Sequence, residues 1–267
     1  MPDQKPVTLR TLARMKAEGV PIAMLTAYEA TFAQVAEAAG VDVLLVGDSL
    51  GMVVQGQADT LAVTVEEVAY HCRTVRRGAQ RAMVIADMPF MSYATLPKAL
   101  ESAATLMKSG GAQMVKLEGG SDQVEIVRAL AQQGVPVCAH LGLQPQSVHK
   151  LGGYRVQGRA TDEAEKMLAD AQALEAAGAD LMILECVPAD LAARIAEALD
   201  VPVIGIGAGA RTDGQVLVLH DVLGVTERPP RFSRCFLDGA HDIPGALSAY
   251  VAAVRARRFP APSEQFD

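Results

Sequence analysis

One sequence pattern recurs along the chain and constrains its fold more than any other feature. It consists of a helix ending in glycine, a short apolar strand and a closing polar residue, and it occupies residues 37–48, 110–118 and 175–185. A second version places Val-Pro before the apolar run, at residues 20–21, 135–136 and 201–202. Runs so rich in Val, Ile, Leu and Met suit a parallel sheet that is covered on both faces. Alternation with Ala-rich helical stretches is typical of βαβ units.

The number of such runs favours a closed (β/α)8 barrel over an open doubly wound sheet. Seven strands can be placed from these patterns, and residues 215–220 are the candidate for the eighth, although they also read as a helix. An amphipathic helix before Val20 could plug the bottom of the barrel. We expect residues 1–267 to form a single barrel domain, with a C-terminal tail from about 228–267 that is irregular plus a helix. Residues 246–257 are amphipathic and are expected to dock on a neighbouring subunit.

Composition excludes several classes of function. The net charge is -7, no run of Lys and Arg stands out, and aromatic residues are only 4% of the chain, so nucleic acid is not an expected partner. The apolar stretches are too short to span a bilayer, which argues against a membrane protein. No apolar segment of an export signal follows Met1, and the four cysteines are widely scattered. A cytoplasmic enzyme is the default expectation.

Ionisable residues close successive strands, and they are Asp48, Asp87, Lys116, Glu118, His140 and Glu185. In a parallel barrel the carboxyl ends of the strands form the catalytic face. A lone acid at such a point is commonly a helix cap or a turn former. Six such groups on one face favour a functional site, since each charge that is buried there needs a partner.

The types of these residues indicate proton abstraction next to a carbonyl group. Asp48, Asp87 and Glu118 offer hard oxygen ligands that suit Mg²⁺ or Mn²⁺, and such a cation polarises a carbonyl group. Lys116 could hold a substrate carboxylate, and it points to the same side of its strand as Glu118. Glu185 follows a strongly apolar strand, where loss of hydration would suit a general base. For His140, a core role and a catalytic role stay open.

Two other features bear on the site. Residues 205–210 match the dinucleotide pattern G-x-G-x-x-G/A, but the match comes late and residues 211–214 break the expected helix, which favours a tight turn. The connections 49–63 and 141–160 are longer than plain turns and are expected to be functional. The first of them ends at the capping box of Thr64.

The chain resembles the ketopantoate hydroxymethyltransferase family over residues 7–221 or so. The matching motifs, in chain order, are MLTAY at 24–28, VGDSLGM at 46–52 with QG at 55–56, ADMPF at 86–90, VKLEGG at 115–120, HLGL at 140–143, PQSV at 145–148, GGYRVQGR at 152–159, LECVP at 184–188, and GIGAG at 205–209 with DGQ at 213–215. The sequence departs from the family pattern at Glu29, where Asp is usual, at Gln144, where Thr is usual, and over 231–240.

The resemblance implies a barrel of the phosphoenolpyruvate/pyruvate-binding type. It also implies transfer of a hydroxymethyl group from 5,10-methylenetetrahydrofolate to 3-methyl-2-oxobutanoate, giving 2-dehydropantoate in pantothenate synthesis by metal-stabilised enolate chemistry. One Mg²⁺ per subunit and assembly as a homodecamer are further implications. By motif, Glu185 would be the catalytic base. The 2-oxo acid would meet Asp48, Ser49, Asp87 and Lys116, and the metal would meet Asp48, Asp87 and Glu118.

Two rival functions are weighed against this interpretation. A lyase of the isocitrate lyase or phosphoenolpyruvate mutase kind would need a loop Cys that acts as the acid of the reaction, and residues 150–157 contain no Cys. A protein that binds a metal and an organic acid without turnover would have no use for a base at Glu185. Which residues bind the folate is left open.

Overall fold

Eight parallel strands close into a barrel in the computed structural model, which describes residues 5–267. Each strand pairs with its neighbours in chain order, and β8 closes the barrel by pairing with β1. The strands are β1 Ile22–Thr26, β2 Val43–Val46, β3 Met83–Asp87, β4 Met114–Glu118, β5 Val137–Gly142, β6 Leu181–Glu185, β7 Val203–Ile206 and β8 Gly214–Leu217. The predicted closed barrel is confirmed, and the ambiguous segment proves to be part strand and part helix.

Helices surround this barrel, as the Ala-rich stretches predicted. They are α1 Leu9–Ala17, α2 Ala30–Ala38, α3 Leu50–Val53, α4 Val65–Gly78, α5 Leu96–Ala104, α6 Val124–Gln132, α7 Val148–Leu151, α8 Thr161–Ala177, α9 Ala189–Ala198, α10 Leu219–Val222 and α11 Ile243–Arg255. A π-helix, Thr105–Ser109, extends α5, and 3₁₀ turns occupy Ser121–Gln123, Pro145–Ser147 and Pro262–Glu264. Among residues 5–267 no helix is long and apolar enough to cross a membrane.

The strands are buried on both faces, which explains their continuous apolar sequence. Every residue of β1, β2, β3 and β4 is buried. Helix α1 lies at the end of the barrel where the strands begin, with Leu12 and Met15 buried. The Lys16 ammonium donates to the carbonyl of Ala196 and to Asp213, both at 2.8 Å, and Asp213 directly precedes β8. Helix α1 thus covers the barrel bottom, where the sequence placed a plug.

The connection from β7 to β8 has no helix, and the C-terminal residues cover it instead. Arg257 donates to the carbonyls of Ala210 and Thr212 at 3.0 Å. The carbonyl of Phe266 accepts a hydrogen bond from the backbone of Ala189 at 2.9 Å. Because the tail replaces a barrel helix, we propose that it belongs to one domain with the rest of the chain.

Helix α11 packs on the barrel of its own chain, so the expectation that residues 246–257 dock on a neighbour is wrong. Its apolar face is buried against α2 and β1. The Tyr250 hydroxyl lies 2.7 Å from the carbonyl of Met24 and 3.0 Å from that of Gln215, and so ties the helix to the seam between β1 and β8.

Helix starts follow the predicted capping chemistry. The Thr64 hydroxyl accepts from the backbone of Glu67, and the Glu67 carboxylate accepts from the backbone of Thr64, which confirms the capping box. Glu29 caps α2 by accepting from the backbone N–H groups of Thr31 and Phe32 at 2.6 Å. Glu29 stands where Asp is usual, and it serves as an N-cap although its side chain is one methylene group longer than that of Asp.

Substituting Tyr250→Phe should lower the free energy of unfolding by about 1–2 kcal/mol, because two buried carbonyl groups lose their hydroxyl partner. Urea unfolding followed by circular dichroism measures the change. Ser248→Ala on the exposed face of the same helix is the control, since among residues 5–267 its hydroxyl donates only to the carbonyl of Pro244. Equal effects of the two substitutions would contradict the assigned role of Tyr250.

Candidate active site

A cavity of about 440 Å³ opens at the carboxyl ends of the strands. All of the residues that the sequence placed in the site line this one cavity, namely Asp48, Ser49, Asp87, Lys116, Glu118, His140 and Glu185. The parallel strands explain this convergence, since each strand delivers its last residues to the same rim. The structure thus brings together every predicted site residue.

Asp48 and Asp87 lie side by side at the ends of β2 and β3. Both are almost fully buried, with exposed fractions of 4% and 2%. The Asp87 carboxylate accepts a hydrogen bond from the backbone of Asp48 at 3.0 Å. The side chain of Asp48 caps no helix and points instead to the amide of Gln146, 2.8 Å away. The alternative role of Asp48 as a helix cap is therefore not realised.

Lys116 supplies a buried positive charge between the acids. Its ammonium donates to Asp87 and lies 3.9 Å from Glu118. Burial alone would lower the pKa of Lys116, but the carboxylates of Asp87, Glu118 and Asp48 raise it above its usual value. The ammonium is therefore charged at neutral pH.

His140 lies between two carboxylates. One ring nitrogen is 3.5 Å from Glu118 and the other is 3.3 Å from Glu185. Burial and Lys116 each lower the pKa of His140, yet the two carboxylates outweigh them and raise it to about 9. The imidazole is therefore protonated at neutral pH, and His140 is a charged member of the site instead of a passive core residue.

The acids of the site repel one another. Burial raises the pKa of Asp48 well above its ordinary value, and Asp87 and Glu118 raise it further, against the opposing effects of Lys116 and Gln146. Burial also acts to raise the pKa of Glu118, but His140, Lys116 and the backbone of Gln146 bring it below its usual value. The charged form of Asp48 is thus disfavoured, whereas that of Glu118, beside His140, is favoured.

A divalent cation beside Asp48 and Asp87 would favour the charged form of Asp48. Two carboxylates, completed by water and substrate oxygens, form a usual site for Mg²⁺. Within the described residues no group of three or more His, Cys, Asp or Glu side chains is arranged around one point in a way that could hold an ion. Glu118 lies in the same cavity but contacts His140 and accepts from the backbone of Gln146 at 3.1 Å. A direct bond from Glu118 to the metal stays a prediction.

A strained turn holds Glu185 at the cavity. Cys186, the next residue, has a φ of 49°, which a residue with a side chain rarely adopts. Its carbonyl accepts from the backbone of Gln157 at 2.9 Å. Gly142 approaches so closely that a Cβ atom there would lie 2.2 Å from the carbonyl oxygen of Glu185. The Glu185 side chain is 16% exposed, so it is less desolvated than the other acids.

Gln146 and Tyr93 are site residues that the sequence reasoning did not single out. The Gln146 amide nitrogen donates to Asp48 at 2.8 Å and to the carbonyl of Met88 at 3.0 Å, and the amide oxygen accepts from the Tyr93 hydroxyl at 2.6 Å. These three partners fix the orientation of the amide. Since the backbone of Gln146 also binds Glu118, one residue orients two acids of the site. The motif PQSV carried the only sequence signal.

Glycines 207 and 209 have positive φ values, and no helix follows them. The sequence G-x-G-x-x-G/A therefore forms the expected tight turn and lacks the helix that a dinucleotide site requires.

Substituting Gln146→Leu should weaken metal binding by roughly 10–100-fold, because Asp48 loses the amide that orients it, while the backbone N–H group that binds Glu118 remains. Titration of the purified protein with Mn²⁺, followed by electron paramagnetic resonance, measures this affinity. Gln144→Leu is the control in the same loop, since Gln144 has no hydrogen bond to either acid. Wild-type Mn²⁺ affinity in the Gln146 variant would refute its orienting role.

Comparison with known proteins agrees with this geometry. The family model for ketopantoate hydroxymethyltransferase matches residues 6–262. The 3-methyl-2-oxobutanoate hydroxymethyltransferase of Halorhodospira halophila is 61% identical over 261 residues, which cover 98% of this chain and 95% of that relative.

Solved structures give the fold. A 2,3-dimethylmalate lyase of the phosphoenolpyruvate mutase/isocitrate lyase superfamily has a TM-score of 0.59 at 20% identity, covering 78% of this chain and 80% of its own. A phosphonopyruvate hydrolase in complex with oxalate and Mg²⁺ has a TM-score of 0.62 at 13% identity, and the match covers 81% of this chain and 82% of that one. These likenesses confirm the predicted barrel fold, and at these identities the likeness to the rival enzymes is one of fold alone. With a family model that spans nearly the whole described chain, the chain belongs to the ketopantoate hydroxymethyltransferase family.

Proposed function

We propose that this protein transfers a hydroxymethyl group from 5,10-methylenetetrahydrofolate to 3-methyl-2-oxobutanoate, giving 2-dehydropantoate in pantothenate biosynthesis. One observation carries the proposal: a buried ammonium, a pair of acids suited to a cation and a partly exposed carboxylate share one cavity. Family membership gives the substrates, and the cavity gives the parts for removing a proton next to a carbonyl group.

The 2-oxo acid is held by charge and by hydrogen bonds. Lys116 presents its ammonium to the substrate carboxylate, and this ammonium is already in the cavity and almost fully buried. Ser49 adds a hydroxyl group that is oriented by a 2.8 Å hydrogen bond to the Tyr28 hydroxyl. In a desolvated cavity both contacts are stronger than they would be in water.

Asp48 and Asp87, with Glu118 as the further candidate, would hold one Mg²⁺ per subunit. When bound, this ion polarises the keto group of the substrate and so acidifies the neighbouring C–H bond. The mutual repulsion of the acids supports this assignment, because a divalent cation relieves it.

Glu185 is the base that removes the proton from the third carbon of the substrate. The C–H electron pair then forms the double bond of the enolate, and the proton stays on Glu185. His140, which lies 3.3 Å away and is protonated at neutral pH, orients the carboxylate. The remaining exposure of Glu185 to the cavity suits contact with a substrate carbon.

The enolate carbon then takes the one-carbon unit of the folate. Overall, the methylene carbon loses its bonds to N5 and N10 of the folate, joins the third carbon of the oxo acid and takes its hydroxyl oxygen from water. The proton held by Glu185 and one proton of the water pass to the two folate nitrogens, and tetrahydrofolate is released. The hydroxymethyl transfer therefore needs no oxidant or reductant.

We also propose a homodecamer in the cytoplasm. Exposed apolar side chains support self-association, since a patch of this kind is usually covered in an assembly. They lie together in sequence on α5 and the loop before it, at Phe90, Met91, Leu96 and Leu100.

Substituting Glu185→Gln should slow hydrogen–deuterium exchange at the third carbon of 3-methyl-2-oxobutanoate by roughly 10²–10⁴-fold, because the base is lost. Proton NMR in D₂O, with Mg²⁺ present and folate absent, measures this exchange. Calorimetry should find nearly unchanged binding of the oxo acid. Glu197→Gln, an exposed acid on α9, is the control, and exchange at the parent rate in the Glu185 variant would disprove the assignment.

Removing divalent cations should abolish turnover of 3-methyl-2-oxobutanoate with methylenetetrahydrofolate. Mg²⁺ should restore turnover in the parent protein but not in an Asp87→Asn variant, because one of two adjacent carboxylate ligands is missing. Circular dichroism before and after chelation checks that the fold persists. Full turnover in the rigorously chelated protein would overturn the proposed metal dependence.

A further inference from the structure

The cavity is divided into two unlike halves. Most of the charged residues of its lining come from the ends of β2 to β6, whereas β7, β8 and the segment beyond β8 contribute mainly apolar side chains. The apolar lining comprises Ile206, Val216, Val218, Pro230 and Phe232. Cavities of several hundred Å³ hold ligands of drug size, so a small oxo acid beside Lys116 leaves this apolar half free.

One acid interrupts the apolar half, and the proposed chemistry does not use it. Asp221, on α10, lines the cavity and is only 6% exposed. One of its carboxylate oxygens accepts from the Thr226 hydroxyl. Among residues 5–267 its other oxygen, Oδ2, accepts no hydrogen bond and the carboxylate forms no salt bridge, yet Oδ2 is not fully buried and can be reached from the cavity that Asp221 lines.

The Asp221 carboxylate therefore has one oxygen with no donor from the protein. Burial raises the pKa of Asp221, and Thr226 and His220 offset the rise only in part. Water can reach Oδ2 in the empty cavity, so a ligand that displaces this water must supply donors in its place, because a desolvated carboxylate without a partner costs free energy. A ligand that suits this half of the cavity must therefore be flat and apolar on its faces, with adjacent N–H donors at its edge.

We propose that Asp221 binds the pterin ring of the folate co-substrate, accepting hydrogen bonds from its ring N–H and its 2-amino group. The two donors lie side by side on the pterin edge and match the two oxygens of a carboxylate. Val218 and Phe232 pack against the ring. This inference rests on the proposed function and names the folate subsite within it.

A basic residue at the rim of the cavity suits the anionic tail of the folate molecule. Arg228 lies exposed at the edge of this half of the cavity, and it has no carboxylate partner within the described part of the chain. The anionic glutamate tail of folate leaves the pterin toward solvent, where an unpaired guanidinium attracts it. The folate therefore spans the apolar half, with its one-carbon unit directed to the ionisable half.

Substituting Asp221→Asn tests the assignment, because the amide keeps the size of the side chain and its bond to Thr226 but presents a donor to the pterin donors. Calorimetric binding of tetrahydrofolate to the parent protein and the variant should show affinity lowered on the order of 30-fold. The KM for methylenetetrahydrofolate should rise by a similar factor while the KM for the oxo acid stays constant.

Hydrogen–deuterium exchange of 3-methyl-2-oxobutanoate without folate separates this inference from the proposed function. The Asp221 variant should exchange at the parent rate, because its oxo-acid half is intact. Absence of exchange in the parent protein would refute the proposed function itself. Loss of exchange in the variant alone would mean that Asp221 supports the whole site, and it would overturn the pterin assignment.

Two further comparisons sharpen the test. Glu227→Gln removes an exposed charge nearby and should leave tetrahydrofolate affinity unchanged. A tetrahydrofolate analogue that carries a methyl group in place of the 2-amino group should bind the parent protein weakly and lose little more affinity in the Asp221 variant. Two results would contradict the proposal. One is an equal loss of affinity for the analogue and for tetrahydrofolate when Asp221 is substituted, and the other is wild-type affinity for tetrahydrofolate in that variant.

Discussion

Crowding of like charge at the mouth of the barrel is the constraint on which the site depends. Asp48, Asp87 and Glu118 are buried within one cavity, and Lys116 and His140 do not neutralise them evenly. His140 and Lys116 lower the pKa of Glu118, whereas the pKa of Asp48 is raised. A divalent cation bound beside Asp48 would relieve this uneven compensation and lower the free energy of the folded protein. The same cation is what the enolate chemistry requires.

Holding such charges in place requires support from the surrounding backbone and side chains. Gln146 binds Asp48 through its side chain and Glu118 through its backbone, so two strand ends are tied by one loop residue. Gly142 and the left-handed Cys186 allow β5 and β6 to meet closely beside Glu185. Because positional errors of one ångström can cost large factors in rate, these contacts are as necessary for the reaction as the charged groups.

Much of the fold and the charged part of the site could be predicted from the sequence. Apolar runs that end in Asp48, Asp87, Glu118 and Glu185 determine both the strands and the rim on which their last residues gather. Residues 215–220 were ambiguous because β8 and α10 follow one another there with a single residue between them. In so short a segment neither the helical nor the strand period of hydrophobic residues can be established.

Other parts of the site depend on contacts between distant residues, which no local pattern reveals. Tyr93 and Gln146 are 53 positions apart and are joined by a hydrogen bond of 2.6 Å. The protonated state of His140 likewise follows from two acids on neighbouring strands. The amphipathic residues 246–257 misled because an apolar helix face looks the same whether it packs on its own barrel or on another subunit.

The most direct test of this account is a crystal structure of the protein with Mg²⁺ and 3-methyl-2-oxobutanoate. The cation should lie against the carboxylates of Asp48 and Asp87, the substrate carboxylate near Lys116, and the Glu185 carboxylate opposite the third carbon of the substrate. A cation bound away from these two acids, or a Glu185 directed away from that carbon, would contradict it.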